Sequence, residues 1–427
     1  MEEETVYGVD KNLKNCKRRL QNDPDISQKV KDEILRFVNI LDIQSVSKHR
    51  QYFYIERLKI LARIMGDSFI DPSDDDLILA ISKIKEAKNK RGKEYSSRTI
   101  QDILQSIKKF YGSLKANNDK RNLKWIKINT SLSQEKKPKD IVTLEERNSM
   151  LNACDNDRDR CLISMLYDSG CRIGELLTLK NKDIVFDEFG MTLTVAGKTG
   201  VRRIEVVGDS VIYARTYKQK YKRDNPNEHF FINFKDLTPM NYYAVNTMFY
   251  KVTKRAKLTR RINPHLFRHT RATIYSKELQ QPVLESYMGW KPGSRMARVY
   301  IHLSQDDVKD AILRIYGIER PKNDKSNSQV EVPKICLRCG EKNPSISEYC
   351  LKCGMPLDKN KIFELNTKRD EVISNLLESS VVDDITKGTI KNIAPQAIDF
   401  LISAVLKGIT EKPELRNKFI QELSRKV

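Results

Sequence analysis

A mainly α-helical fold with one small antiparallel β-sheet or hairpin is what this sequence predicts, on three observations. Apolar residues recur at helical spacing, most clearly at Ile100, Ile103, Leu104, Ile107, Phe110, Tyr111 and Leu114, which share one stripe. Helix-start chemistry recurs as well. Thr143 with Glu146 reads as a capping box, and Asn263 sets a capping side chain ahead of Pro264, whose missing N–H costs nothing in a first turn. A two-residue period is clear in one region, where Met191 to Ala196 and Val201 to Val207 flank a turn from Gly197 to Gly200.

In chain order, residues 1–26 read as an N-terminal tail and 27–118 as a small helical domain. The last helix of that domain turns Arg98, Lys108 and Lys109 away from its apolar stripe, either as a solvated face or toward DNA phosphates. Residues 119–140 lack apolar periodicity and hold Lys120, Arg121, Lys124, Lys127, Lys136, Lys137 and Lys139, which makes a basic linker. A second, mostly helical domain covers 141–320, contains the hairpin, and resumes helix after Thr238 and after Asn263. Residues 321–333, rich in Lys, Asn, Ser and Asp, form a flexible connector to a cysteine module at 334–358. In the remaining segment, 359–427, Ile398, Leu401, Ile402, Val405, Leu406 and Ile409 mark an amphipathic helix.

A chain of 427 residues with a net charge of +21 favours a polyanionic partner, with nucleic acid foremost. A membrane surface would also attract such charge, but the apolar stretch Phe400 to Leu406 is far too short to span a bilayer. The opening residues Met1 to Thr5 lack the basic and apolar regions of a secretion signal, so a cytoplasmic protein is expected.

The chemistry concentrates between His265 and Tyr300. Of the five histidines, His265, His269 and His302 crowd this stretch, beside Arg268, Arg271, Arg295 and Arg298. His265 and Arg268 sit three residues apart near a helix N-terminus, where unpaired N–H groups favour a phosphate. A phenol ionises near pH 10, leaving roughly 0.1% phenolate at neutrality, so a tyrosine nucleophile needs cationic company. Upstream, Arg172 follows a glycine turn with Glu175 one helical turn later; its planar fork of donors matches two phosphate oxygens, although an ordinary helix ion pair has the same spacing. Lys198 occupies the hairpin turn, where a lysine is usually just solvated but where an ammonium can also reach a DNA groove and donate a proton. Trp290 offers one N–H donor, and Tyr300 is one of 17 tyrosines, so order and spacing carry the case.

The series Arg172, Lys198, His265 with Arg268, Trp290 and Tyr300 resembles the tyrosine recombinase family, of phage integrase and Xer type, in order, spacing and local wording. The resemblance is strong from Thr143 to Ser304 and weaker over the preceding helical segment, which corresponds in position to the family's core-binding domain. It implies that Tyr300 attacks a scissile phosphate and forms a 3′-phosphotyrosyl link, while Arg172 and Arg268 clamp the non-bridging oxygens. It implies further that His265 assists proton transfer, Lys198 protonates the departing 5′ oxygen, and Trp290, where many members have histidine, positions the phosphate. Glu175 supports Arg172. His269 and His302 are read as structural or phosphate-adjacent, and Tyr287, the competing nucleophile, as core. The covalent link conserves phosphodiester energy, which implies neither ATP nor a catalytic metal.

The family acts on duplex DNA at specific sites as a homotetramer exchanging strands through a Holliday junction, in some cases with accessory DNA-bending proteins. A site-specific recombinase with a C-shaped clamp of two helical domains is therefore expected. Relaxation of supercoils in the manner of a type IB topoisomerase is the alternative enzyme, and an inactive zinc-ribbon DNA-binding regulator the alternative outside enzymes. Cys336, Cys339, Cys350 and Cys353 form two Cys-x-x-Cys-Gly knuckles separated by ten residues, a spacing that resembles a zinc ribbon and suits one structural zinc. Such a ribbon is an appendage to the recombinase pattern.

Overall fold

The computed structural model describes residues 6–88, 92–113, 123–128, 141–197, 200–221, 224–300 and 332–358. The chain divides into two units, Met1–Glu331 and Val332–Val427. The first unit opens with helices α1 (Val9–Gln21), α2 (Gln28–Ile43), α3 (Lys48–Met65), α4 (Asp74–Glu86) and α5 (Ser97–Ser113). They close around one apolar core in which the Phe110 ring meets Phe37 at 5.1 Å and Phe69 at 4.9 Å. The predicted stripe of α5 lies in that core: Ile103, Leu104, Ile107, Phe110 and Tyr111 are buried, and the Tyr111 hydroxyl donates to the Phe69 carbonyl at 2.7 Å. Leu114 lies outside the described residues.

Two boundaries differ from the sequence expectation. Residues 9–21, assigned to a tail, form α1, and Leu13, Cys16 and Leu20 are buried in the same core. Val9, Leu13, Cys16 and Leu20 recur at helical spacing, so this stripe is present in the sequence, though narrow and flanked by Lys, Arg and Asn. In the expected basic linker, Leu123 and Ile126 also pack into this core, and Lys108 Nζ donates to the Ile126 carbonyl at 2.9 Å. Leu123, Trp125, Ile126 and Ile128 form too short an apolar cluster within the basic stretch to set a period, and Ile128 also packs against this core. On the basic face of α5, Lys109 donates to Gln44 at 3.3 Å and Arg98 pairs with Asp102 at 3.4 Å.

The following region is built on helix α7 (Asp157–Ser169), buried all round from Cys161 to Ser169, as expected for a helix apolar on every face. Helix α6 (Leu144–Asn152) precedes it and carries the predicted capping box, with the Glu146 amide donating to Thr143 Oγ1 and the Thr143 amide donating to Glu146. After the short helix α8 (Ile173–Leu177), strands β1 (Ile184–Phe186), β2 (Met191–Gly197) and β3 (Gly200–Val206) form an antiparallel sheet in that order. The hairpin β2–β3 is the predicted one, with Val195 opposite Arg202 and Gly197 opposite Gly200. Strand β1 is too short to show alternation in the sequence.

Helices α9 (Asp209–Lys220), α10 (Tyr242–Arg255), α11 (Pro264–Tyr275), α12 (Gln281–Met288) and α13 (Arg295–Tyr300) complete the unit, with α9 and α11 packed on α7. Asn263 caps α11 through its side-chain oxygen, which accepts from the Leu266 amide at 3.1 Å, with Pro264 in the first turn. Gly170 ends α7 at φ +61°, and a Cβ there would lie 2.8 Å from the Arg271 side chain. Glycine is thus required both by the turn and by the close approach of α11. In the second unit, β4 (Lys334–Ile335) pairs antiparallel with β5 (Lys342–Asn343). The C-terminal helical segment expected at 359–427 lies outside the described residues, among which no helix is long and apolar enough to cross a membrane.

A buried ion pair ties α6 to α9: Arg147 donates to Asp209 at 2.8 Å, with both side chains almost completely shielded from solvent. Removing one partner strands the other charge in the interior. Asp209→Ala is expected to destabilise the protein by about 3–5 kcal/mol, read as a lowered urea midpoint; a change below about 1 kcal/mol would show that solvent reaches Arg147.

Candidate active site

Arg172 caps the start of helix α8, and the first turn there organises the site. The Arg172 guanidinium donates to Glu175 Oε1 at 2.7 Å, and the Arg172 amide donates to Oε2 at 2.9 Å. Glu175 is buried and takes a second, forked pair of hydrogen bonds from Arg202 on β3, at 3.0 and 2.9 Å. Burial works against its charge, but the donors on Arg202 and Arg172 prevail and hold the carboxyl below the usual glutamate range. Arg202 also donates through Nε to the Tyr287 carbonyl at 3.2 Å, so one guanidinium joins the hairpin, α8 and α12.

Two glycines make room for this ion cluster. A Cβ at Gly289, itself at φ +61°, would stand 2.6 Å from the Arg202 guanidinium, and one at Gly197 would stand 2.7 Å from Glu175 Oε1. Sequence reading passed over Arg202, yet a signal was present. Arg202 shares a strand face with Ile204 and Val206, both buried, and a charge on a buried face requires a partner.

Arg172 and Arg268 converge on one short backbone segment. Arg172 Nη2 donates to the Gly289 carbonyl at 3.4 Å, while buried Arg268 donates to the Gly170 carbonyl at 3.0 Å and to the Met288 carbonyl. Burial and the nearby Arg172 charge lower the Arg268 pKa to about 10, still high enough to keep it cationic at neutral pH. Arg271, one of the arginines of this crowded stretch, braces the arrangement: it donates to the Tyr167 carbonyl at 2.7 Å and to Asp168 at 3.1 Å.

Trp290 follows directly. Its ring stacks on Tyr300 with centroids 5.5 Å apart and planes 9° from parallel, and the Arg268 guanidinium lies 5.9 Å from the Trp290 ring centroid. On its other side the Tyr300 hydroxyl is hydrogen-bonded to His269 Nδ1. His265, one turn earlier on α11, is exposed and meets His269 edge to face at 4.5 Å. Burial pushes the Tyr300 phenol up to about 12, with Arg268 pulling the other way. The expected net lowering by cationic neighbours is therefore overruled by desolvation.

Arg172, Glu175, Arg268, Trp290 and Tyr300 thus form one connected cluster that His265 reaches through His269. The expectation that His269 is merely structural or phosphate-adjacent fails to anticipate its bond to Tyr300. Lys198 and His302 lie outside the described residues. Tyr287 packs against the Tyr275 ring at 5.1 Å, outside the cluster, and burial raises its phenol well above the usual range. Chemically, the cluster pairs an oriented phenol with two guanidinium groups, a set suited to phosphoryl transfer.

Residues 140–307 match the model of the phage integrase family. The chain carries a phage integrase domain. It is similar to the tyrosine recombinase XerA of Pyrococcus horikoshii, at 24% identity over 67% of this chain and 95% of that protein. It is also similar to the tyrosine recombinase XerC of Oceanobacillus iheyensis, at 25% identity over 65% of this chain and 93% of that protein. Among solved structures, the Tn1549 transposon integrase in complex with circular intermediate DNA is 20% identical, covers 66% of this chain and 99% of that one, and gives a TM-score of 0.49. Both relatives are named tyrosine recombinases, and what they share with this chain includes the phage integrase domain.

In the second unit, the sulfur atoms of Cys336, Cys339, Cys350 and Cys353 lie within 4.8 Å of one another. Cys336 to Cys353 and Cys339 to Cys350 are each 3.6 Å, close to the roughly 3.8 Å edge of a thiolate tetrahedron around a metal 2.3 Å from each sulfur. Both knuckles turn alike: the amides of Gly340 and Gly354 donate to the carbonyls of Cys336 and Cys350 at 2.9 Å. The donor set and the repeated turn fit a tetrahedral metal.

Because Glu175 has a lowered carboxyl pKa, its contribution to stability is complete above the 4.5 of an ordinary glutamate and disappears as pH falls through the lower folded value. Glu175→Gln is expected to lower the melting temperature of the phage integrase domain near neutrality and to lessen its decline below that value. An unchanged acid profile would show that the cluster does not depend on the carboxylate charge.

Proposed function

We propose that this phage integrase domain performs site-specific recombination of duplex DNA with Tyr300 as its covalent nucleophile. The observation that carries the reading is the placement of the Tyr300 hydroxyl: it is bonded to His269 and its ring is stacked on Trp290, in the cluster where Arg172 and Arg268 meet. Tyr300 attacks the scissile phosphorus, and the 3′-phosphotyrosyl bond forms as the bond to the 5′ oxygen breaks. Arg172 and Arg268 stabilise the added charge on the non-bridging oxygens, Trp290 positions the phosphate and Glu175 fixes Arg172. His265 lies beside the proton path, and Lys198 at the hairpin turn donates a proton to the 5′ oxygen. The energy of the broken bond stays in the phosphotyrosyl link, so a second strand's 5′ hydroxyl can reverse the step on a new partner. Four copies pair two sites and exchange strands through a Holliday junction. The names of the relatives, recombinases and a transposase, support a DNA substrate.

The cysteine module is proposed to hold one structural zinc. Four thiolates fill its coordination sphere, leaving the metal to fix a segment too short to build its own core.

With a duplex nicked close to the scissile phosphate, the wild-type protein is expected to accumulate a covalent adduct, and Tyr300→Phe to bind the same duplex without forming one. Arg172→Ala should slow adduct formation by about 10²–10³-fold. An adduct in Tyr300→Phe would overturn the assignment, and products joined from two sites, as opposed to relaxed plasmid from one, separate recombination from relaxation. For the cysteine module, metal analysis of the reduced protein is expected to give about one zinc per chain, lost in Cys350→Ser together with protease resistance of residues 332–358. A wild-type protein free of zinc after purification without chelators would refute that part.

A further inference from the structure

We propose that His269 is a further catalytic residue, the group that takes the proton from Tyr300 during attack. The inference rests on Tyr300 being the nucleophile. His269 touches the reacting atom, since its Nδ1 is hydrogen-bonded to the Tyr300 hydroxyl. The two rings lie 5.8 Å apart and tilted by 37°, and Trp290 covers Tyr300 in a parallel stack, so the phenol is oriented by aromatic neighbours. The position on α11 sets the two histidines apart: His265 is exposed, whereas His269, one turn deeper, is half-buried.

The need for such a group follows from the phenol's surroundings. Burial raises the Tyr300 pKa to about 12, and Arg268 only partly offsets it. At neutral pH the phenolate fraction is then on the order of 10⁻⁵, so attack from pre-formed phenolate forfeits most of the rate. A base in hydrogen-bond contact that removes the proton as the new bond forms avoids that loss. Imidazole suits the role because its neutral form accepts at one nitrogen while the other remains a donor.

In the forward step the Oη–H bond breaks and its proton passes to Nδ1 of neutral His269. The freed oxygen pair forms the bond to phosphorus, and the bond from phosphorus to the 5′ oxygen breaks, that oxygen taking a proton from Lys198. In rejoining, a 5′ hydroxyl attacks phosphorus and gives its proton to the neutral amine of Lys198, the P–Oη bond breaks and Tyr300 recovers its proton from the His269 imidazolium. Protons balance over the cycle, and no oxidant or co-reactant is required. Tyr300 from α13 and His265 from its own helix are among the groups that face His269, with Arg268 acting on the shared phenol. His265 meets the His269 ring edge to face at 4.5 Å.

The test uses full-length protein and a nicked duplex built on a site at which the wild type forms its adduct, under single-turnover conditions with saturating protein. Tyr300→Phe serves as the control for the underlying reading: no adduct is expected from it, and an adduct there removes the basis of both assignments. His269→Ala and His269→Gln are each expected to bind the duplex as the wild type does and to form adduct about 10²–10³-fold more slowly. Gln keeps a side chain able to accept a hydrogen bond from Tyr300 but not its proton, so it separates proton transfer from simple positioning, and it carries the test if the alanine variant does not fold. Added imidazole is expected to restore His269→Ala at least about tenfold, in proportion to the unprotonated form, and to leave His269→Gln unchanged. A His269→Gln rate within about threefold of wild type, with Tyr300→Phe inactive, overturns the role of His269 while leaving Tyr300 as nucleophile. A slow His269→Ala that imidazole does not accelerate overturns it equally.

Discussion

Everything in the catalytic region hangs on one buried carboxylate. Glu175 accepts hydrogen bonds from Arg172 on its own helix and from Arg202 across the hairpin, and Arg202 in turn reaches the backbone of α12 at Tyr287. Three elements remote in sequence are thereby locked at one point. Two guanidinium groups repel each other in a poorly solvated space, and an intervening negative charge makes their proximity tolerable. Room for the cluster comes from the absence of side chains at Gly197 and Gly289. The hairpin β2–β3 is thus anchored to the start of α8.

The second constraint is the way Arg172 and Arg268 are held. Arg172 and Arg268 donate to carbonyls at Gly289 and Met288, immediately before Trp290. These contacts fix the guanidinium planes while leaving both groups charged. Preorganisation of this kind matters in phosphoryl transfer, because donors already in place need no reorientation as charge develops on the phosphate. Arg271 and the tight turn at Gly170 hold α11 against α7, which sets the depth at which Arg268 sits.

The tyrosine illustrates two opposing effects of one environment. Cations lower a phenol pKa and burial raises it. Packing between His269 and Trp290 shields Tyr300 enough for burial to win. In the proposed reaction, a nucleophile held in its protonated form is protected from idle ionisation, and its activation is tied to a neighbouring imidazole. The Trp290 position fits this arrangement, since an indole contributes a broad stacking surface as well as a single N–H.

Much of this was legible in the chain itself, and the reasons are local. Helix caps at Thr143 and Asn263 and the stripe of α5 depend on neighbours within a turn or two, and the hairpin depends on strict alternation across a short turn, so their signals are written contiguously. The paired cysteines are of the same kind, because two ligands from each knuckle lie within four residues. The order Arg172, Lys198, His265, Arg268, Trp290 and Tyr300 named the chemistry through its resemblance to a family. What the sequence left undecided involves partners far apart along the chain. The burial of α1, the packing of Leu123 and Ile126, the bridge from Arg202 to Glu175 and the bond between His269 and Tyr300 each join residues with no shared local pattern. The sequence alone therefore determined which groups are available, whereas the tertiary structure decided which of them are desolvated together. Desolvation sets both the strength of an ion pair and the acidity of a phenol, and it is a property of the assembled interior, not of any stretch of chain.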